Sequence, residues 1–332
     1  MRALVCHKFG PVDTMRIRPW PDLKLNQGEV LVDVAYAAVN FPDTLIVQGL
    51  YQVKPKVPFI PGHECSGIVK NIGPGVDHVK PGDRVIVSAG TGGMAEQVVV
   101  NQYRVKPLPN EVALDVASVL STAYATSLHA LKDMAQLQEG ESVLILGGSG
   151  GTGSAAIEIA QAMKAKVLVA CSTEEKLDYC RKTFNLREDQ VINYEEEDLR
   201  KYIVNQTLGE GVNVVFDPVG DKYAEPALRS LGFRGRYLVI GFAAGDIPNI
   251  PLNLALLKER SIIGVYTGIW SQKRGQEAMN NLSMLVNWVK NRKIKPNITA
   301  RYSLDNAVEA LKFASTRLAT GKIVIEVNTN LK

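Results

Sequence analysis

The sequence predicts an α/β protein in two parts: a doubly wound parallel sheet with helices packed on it, and a compact, irregular β-barrel. Three observations predict it. The stretch Glu141 to Ala160, ESVLILGGSGGTGSAAIEIA, runs from an apolar β segment through a glycine cluster into an apolar helical pattern without a break. From about Thr122 onward, β and helical segments alternate, as they do in a parallel sheet with crossover helices. Ahead of Thr122, short β-branched runs are punctuated by Gly and Pro turns, which suits a barrel of short strands.

The glycine cluster is the most specific of these. Gly148, Gly150 and Gly153 form G-x-G-x-x-G between the strand residues Val143 to Leu146 and a helix carrying Ala155, Ile157, Ile159 and Ala160. That is the context a dinucleotide fingerprint requires, with glycines for a tight turn, close approach of backbone to a pyrophosphate, and close packing of helix on strand. The helix begins near Gly151 and Thr152, and its unsatisfied N–H groups and positive dipole end would face the phosphates. A flexible glycine turn is the plainer alternative, and the flanking strand and helix argue against it.

The remaining elements follow in order. GEVLVDVAYAAV (Gly28 to Val39) and CSGIVKNIG (Cys65 to Gly73) read as barrel strands, with turns at Gly73-Pro74-Gly75, Pro81-Gly82-Asp83 and Gly90 to Gly93. A helix through Ala123 to Met134 leads into the six sheet strands: VLIL, KVLVA (Lys166 to Ala170), VINY (Val191 to Tyr194), VNVVFD (Val212 to Asp217), RYLVIG (Arg236 to Gly241) and SIIGVYTG (Ser261 to Gly268). Between them lie helical stretches such as Glu174 to Phe184 and Ala224 to Leu231. In Ser271 to Lys293, Met279, Leu282, Leu285, Val286 and Val289 recur at helical spacing and read as a core stripe. A helix over Leu304 to Thr320 precedes KIVIEV (Lys322 to Val327), a strand expected to pair back into the barrel. The expected domains are therefore 1–122 with 294–332, and 123–293.

Composition narrows the classes of function. The 332 residues, 46% hydrophobic and 22% charged, suffice for two cores. The 38 basic and 34 acidic residues leave a net charge of +4 with no basic block, so nucleic acid is not an expected partner. No apolar run approaches the ~20 residues of a membrane span. Cys6, Cys65, Cys171 and Cys180 show no C-x-x-C spacing, and the chain enters an apparent strand at once with MRALVCHKFG, so a reducing, cytoplasmic location is expected.

Eight segments in order carry a resemblance: VNFPDTLIVQGLY (Val39 to Tyr51), PFIPGHECSGIV (Pro58 to Val69), VKPGDRV (Val79 to Val85), LSTAYATSLHAL (Leu120 to Leu131), GGSGGTG (Gly147 to Gly153), VINY, FDPVG (Phe216 to Gly220) and ATGKIVI (Ala319 to Ile325). Over nearly its whole length the chain resembles the zinc-free quinone oxidoreductases of the medium-chain dehydrogenase/reductase superfamily. The resemblance implies a Rossmann NADPH-binding domain, a GroES-like barrel domain and a homodimer. Zinc alcohol dehydrogenases belong to the same superfamily, and Gly62-His63-Glu64 looks like their zinc motif. Their remaining ligands are missing here: Asn40 and Ser118 stand where cysteines would, and IVSAGTGGMAEQ replaces the four-cysteine lobe. Catalytic zinc takes three protein ligands, so no metal is expected, and His63 reads as a hydrogen-bonded residue at a strand edge.

An NAD enzyme of this fold places Asp or Glu at the end of the second strand to bind the ribose hydroxyls. KVLVACSTEEKL has Cys171, Ser172 and Thr173 there, which leaves room for a 2′-phosphate. The resemblance implies that Ser172, Lys176, Tyr194 and Arg317 hold that phosphate, although Lys176 taken alone could be a solvated helix residue and Tyr194 a packing residue. It further implies that Asn40, Thr126, Ile240, Gly241 and Phe242 contact the nicotinamide and that Tyr51 lines the substrate cleft, with Leu45 where a second family tyrosine would fall. Thr126 could instead bond its own helix. Asn40 and Tyr51 are expected to donate hydrogen bonds to the oxygen of a quinone or enone acceptor, with solvent supplying the last proton. Two other readings stay open: a zinc alcohol dehydrogenase, and a non-enzymatic NADPH-binding protein of structural or RNA-binding role.

Overall fold

The computed structural model describes residues 1–331, which divide into two compact units: 1–123 with 275–331, and 124–274. The first unit is built on a seven-stranded sheet. Its strands run in the order Ile298–Ser303, Lys322–Glu326, Glu29–Val39, Cys65–Ile72, Arg84–Val87, Val105–Pro107, and Gln97–Asn101 also pairs with Glu29–Val39. The long strand Glu29–Val39 is its hub, because both of its edges are used and one row of its side chains, with Val30, Val32 and Val34, is fully buried. Register shifts at Leu31/Val32 and Val34/Tyr36 bend it against Cys65–Ile72, as barrel-like curvature requires. Lys322–Glu326 does pair back, antiparallel to Glu29–Val39, with Ile323 opposite Val39. The helix Gly275–Lys290 falls in this unit too, its Lys290 paired at 2.9 Å with Glu111, whereas the sequence reading put it with the nucleotide-binding part.

The second unit holds six strands, ordered Val191–Asn193, Lys166–Cys171, Ser142–Leu146, Val212–Asp217, Leu231–Val239, Ser261–Gly264, every pairing parallel. In sequence terms this is the order 3-2-1-4-5-6 of the Rossmann fold. It places a topological switch point between Ser142–Leu146 and Val212–Asp217, where such sheets bind ligands beyond the strands' carboxyl ends. The middles of the central strands are apolar (Leu144, Ile145, Leu146, Val214, Val215 and Phe216 have no exposed surface), as expected of strands covered on both faces.

One element starts earlier than the periodicity suggests. The fifth strand begins at Leu231, not Arg236, and the preceding helix ends at Arg229. Val212 pairs with Leu231 but Val214 with Arg236, so the chain between bulges outward and exposes Phe233 and Arg234, which interrupts the apolar run. The helical stretch around Ala125–Leu128 is flanked by wide turns at Leu120–Tyr124 and His129–Met134.

Candidate active site

In the second unit the glycine loop sits at the switch point, directly after Ser142–Leu146. A Cβ on Gly153 would stand 2.2 Å from the Gly147 carbonyl oxygen, and one on Gly148 would stand 2.3 Å from Val169 Cγ1. Both positions admit only glycine. A Cβ on Gly150 would meet nothing nearer than 3.5 Å, so its bare backbone serves an open approach and not internal packing. The helix Gly151–Ala162 begins here with Gly150 as its N-cap, and Ser154 braces the loop by donating to the carbonyls of Gly148 and Ser149 at 3.1 and 3.3 Å. Thr152 accepts a bond from Ser127 Oγ at 3.1 Å through its carbonyl. A cradle of this shape, with free N–H groups at a helix start, fits a pyrophosphate.

At the carboxyl end of the second strand, the Cys171 thiol turns inward, 3.9 Å from Cys180 Sγ, and Ser172 and Lys176 take the position a ribose-binding carboxylate would have. Lys176 Nζ donates to Ser172 Oγ at 3.0 Å. Tyr194, directly after the neighbouring third strand, donates its backbone N–H to the Cys171 carbonyl at 3.0 Å and packs its ring 4.2 Å from Tyr223. Burial raises its phenol pKa, the nearby Cys171 adds to that, and Ser172 opposes it weakly. The structure thus brings Ser172, Lys176 and Tyr194 into one cluster. Arg317 belongs to the first unit, in the exposed turn after the helix Ala307–Ser315.

Ile240, Gly241 and Phe242 follow the fifth strand. The N–H groups of Ile240 and Gly241 donate to the Asp217 carbonyl at 2.9 and 3.4 Å, and Phe242 lies against Gly220. Asp217, which the sequence reading did not single out, shapes this corner: its carboxylate accepts from Val219 N at 2.7 Å, Gly220 N at 2.9 Å and the Tyr237 hydroxyl. Burial raises its pKa against those donors. The Thr126 hydroxyl is bonded to that of Thr267 at 3.1 Å, not to its own backbone.

In the first unit, Asn40 precedes the helix Phe41–Val47 and is buried. Its backbone N–H donates to Asp43 Oδ2 at 2.8 Å, while Asp43 Oδ1 lies 2.6 Å from His63 Nδ1. Burial of the His63 ring opposes its protonation, but the charge and hydrogen bond of Asp43, helped by Glu64, outweigh this and raise its pKa. The Tyr51 ring meets His63 edge-on, with centroids 6.3 Å apart. The Asn40 amide joins two buried charges: Nδ2 donates to Glu64 Oε1 at 3.0 Å, and Oδ1 accepts from Lys322 Nζ at 2.6 Å. Glu64 Oε2 accepts from Thr122 N at 2.8 Å and Ser121 Oγ at 3.2 Å. Sequence reasoning missed Asp43 and Lys322. The available signal was a lysine opening the apolar run IVI, since a lysine so placed must find a partner if the strand is buried.

The residues at the positions of the zinc motif have protein partners. His63 is committed to Asp43, Glu64 to Asn40 and its backbone donor, and the Ser118 hydroxyl to the Asp115 carbonyl at 2.7 Å. Among the described residues, no three of His, Cys, Asp or Glu converge where they could share a metal ion.

Comparison with known proteins agrees with this architecture. A family model described as zinc-binding dehydrogenase matches residues 151–284, and one described as alcohol dehydrogenase GroES-like domain matches residues 26–110. The chain is 35% identical to quinone oxidoreductase-like protein 2 of Bos taurus, over 98% of this chain and 92% of that protein. It is 30% identical to the quinone oxidoreductase of Homo sapiens, over 98% of this chain and 97% of that protein. The crystal structure of Escherichia coli quinone oxidoreductase complexed with NADPH matches with a TM-score of 0.90 at 25% identity, over 98% of this chain and all of that one. The chain therefore belongs to the medium-chain dehydrogenase/reductase superfamily, beside its quinone oxidoreductases.

Proposed function

We propose that the protein is an NADPH-dependent reductase of quinones or α,β-unsaturated carbonyls that works without zinc. The observation that carries this reading is the cluster at the ends of the second and third strands: Ser172, Lys176 and Tyr194 offer hydroxyls and a cation where a carboxylate would repel a 2′-phosphate. The names of the relatives, and the NADPH bound in the Escherichia coli structure, support the same direction. NADPH, when bound, supplies the hydride. The glycine loop and the start of Gly151–Ala162 would hold its pyrophosphate, and Thr126, Ile240, Gly241 and Phe242 would meet the nicotinamide.

The acceptor's oxygen gains charge as it is reduced. Asn40 and Tyr51 donate hydrogen bonds to it, and solvent delivers the proton. A conjugated acceptor spreads that charge, so it needs no Lewis acid, and the ligand-poor His63–Glu64 pair is no obstacle. The four free, buried cysteines suit a reducing compartment such as the cytoplasm. A second copy of the chain pairs along the open edge of the second unit's sheet, at Ser261–Gly264. The deciding experiment sets quinone, enal and alcohol turnover beside nucleotide titration. NADPH-driven reduction of conjugated carbonyls is expected. Tight NADPH binding with no turnover on any acceptor would favour a non-enzymatic role instead.

A further inference from the structure

Lys322 opens the strand Lys322–Glu326 yet is 3% exposed, in the company of Glu64 at 0%. Lysine is seldom buried this completely unless its charge is matched. Here it is matched twice, by the Asn40 carbonyl oxygen at 2.6 Å and by the Glu64 carboxylate at 3.5 Å. Asn40, Glu64 and Lys322 come from three separate segments of the first unit and close a ring of amide, carboxylate and ammonium.

The ring fixes the direction of the Asn40 side chain. A primary amide has one acceptor end and one donor end. In Asn40 the acceptor faces the ammonium and the donor faces the carboxylate, so flipping it would set NH₂ against NH₃⁺ and C=O against COO⁻. Glu64 cannot swing away, because its other oxygen is held by Thr122 N and Ser121 Oγ. Of the two Nδ2 protons, one goes to Glu64, and the second has no partner among the described residues.

We propose that Lys322 is a positioning residue for the reaction: its ammonium locks the Asn40 amide so that the second Nδ2 proton is presented in a fixed direction to the acceptor's oxygen. Preorganised donors of this kind stabilise developing charge without reorganising at the moment of reaction. The inference rests on the proposed reductase reading. It makes Lys322 act through Asn40, not on the substrate.

Lys322→Met alone leaves Glu64 as an unpaired buried charge and can unfold the unit, so its neutral companion Lys322→Met/Glu64→Gln is the working variant. With NADPH and phenanthrenequinone, this variant is expected to keep the unsubstituted protein's melting behaviour and nucleotide affinity while kcat falls by ~10- to 100-fold and KM changes little. Adding Asn40→Ala to it should cost no more than Asn40→Ala by itself. Unchanged kcat, or losses that multiply with Asn40→Ala, would overturn the positioning role while leaving the reductase reading intact. Failure of the unsubstituted protein to reduce any quinone or enone would instead remove that reading and this inference with it. A readout independent of variant folding is hydrogen exchange in the nitrogen-labelled native protein: the Asn40 Nδ2 proton held by Glu64 should exchange far more slowly than that of a free side-chain amide, and exchange at the free rate would overturn the lock.

Discussion

At the scale of single residues, the proposed preference for NADPH turns on Lys176. Its Nζ is tethered to Ser172 Oγ at 3.0 Å, so the charge is held at the strand end instead of sweeping through solvent. A charge-assisted hydrogen bond to a phosphate contributes ~1.5–3 kcal/mol, with the lower end favoured because the side chain is partly exposed. Lys176→Ala should weaken NADPH binding by about that amount and leave NADH almost untouched; equal losses in parallel titrations would contradict the assignment. For Tyr51→Phe, loss of one donor to a partly solvated oxygen should lower kcat by ~10-fold in steady-state quinone reduction. The two halves of the site were unequally legible. Gly148, Gly150 and Gly153 lie within one βαβ unit, where their spacing between a strand and a helix suggests their chemistry, and the roles of Ser172 and Lys176 came from the resemblance that the same unit carries. Lys322 bonds a residue 282 positions away, and nothing local to GKIVI tells which buried acceptors await its charge. Asp43 was hidden similarly, since its meaning depends on His63, brought beside it by folding.

At the scale of elements, alternation of apolar runs with helical stretches sufficed to locate six strands along the chain, because parallel strands covered on both faces are nearly continuous apolar segments. It failed at Leu231, where a bulge exposes Phe233 and breaks the run. The strand that follows is anchored by Arg236, whose guanidinium grips both Glu141 oxygens at 2.7 and 2.6 Å and donates through Nε to the Ala135 carbonyl at 3.0 Å. Burial alone would raise the Glu141 pKa, but the Arg236 and Gln138 hydrogen bonds win and lower it below its ordinary value of 4.5. A carboxylate with a depressed folded-state pKa lends stability that is present above its unfolded value and is lost as pH falls through the folded one. Arg236→Met should therefore cost ~1–3 kcal/mol in urea unfolding at neutral pH, and the gap from the unsubstituted protein should narrow below about pH 4.5. A pH-independent gap would assign the loss to packing. The sheet's last strand, Ser261–Gly264, pairs on one side only, and Ile262 beside it is 42% exposed. Open apolar edges invite pairing, and Leu252, Leu256 and Leu257, shortly before this strand in the chain, are exposed as well. Light scattering should report a dimer at micromolar concentration that Ile262→Asp converts to folded monomers; a monomeric unsubstituted protein would refute this interface.

At the scale of the whole molecule, one superfamily carries two chemistries, and the difference lies in where positive charge comes from. Zinc enzymes of the superfamily gather three ligands around an ion that takes up the alkoxide of an alcohol. In this chain the corresponding segments contribute Asn40, His63, Glu64 and Ser118, each engaged with a protein partner, and the cation among them is the ammonium of Lys322. An ammonium fixed between an amide and a carboxylate cannot accept the hydroxyl proton of an alcohol or bind its oxygen as a Lewis acid does. The proposed substrates, ortho-quinones and 2-enals, bring their own means of dispersing charge through conjugation. The purified protein is expected to hold no stoichiometric zinc by elemental analysis, to keep full activity after chelation, and to reduce conjugated carbonyls well above any rate of alcohol oxidation. One tightly bound zinc per chain, or alcohol oxidation that chelators abolish, would place the molecule with the metal-dependent branch instead.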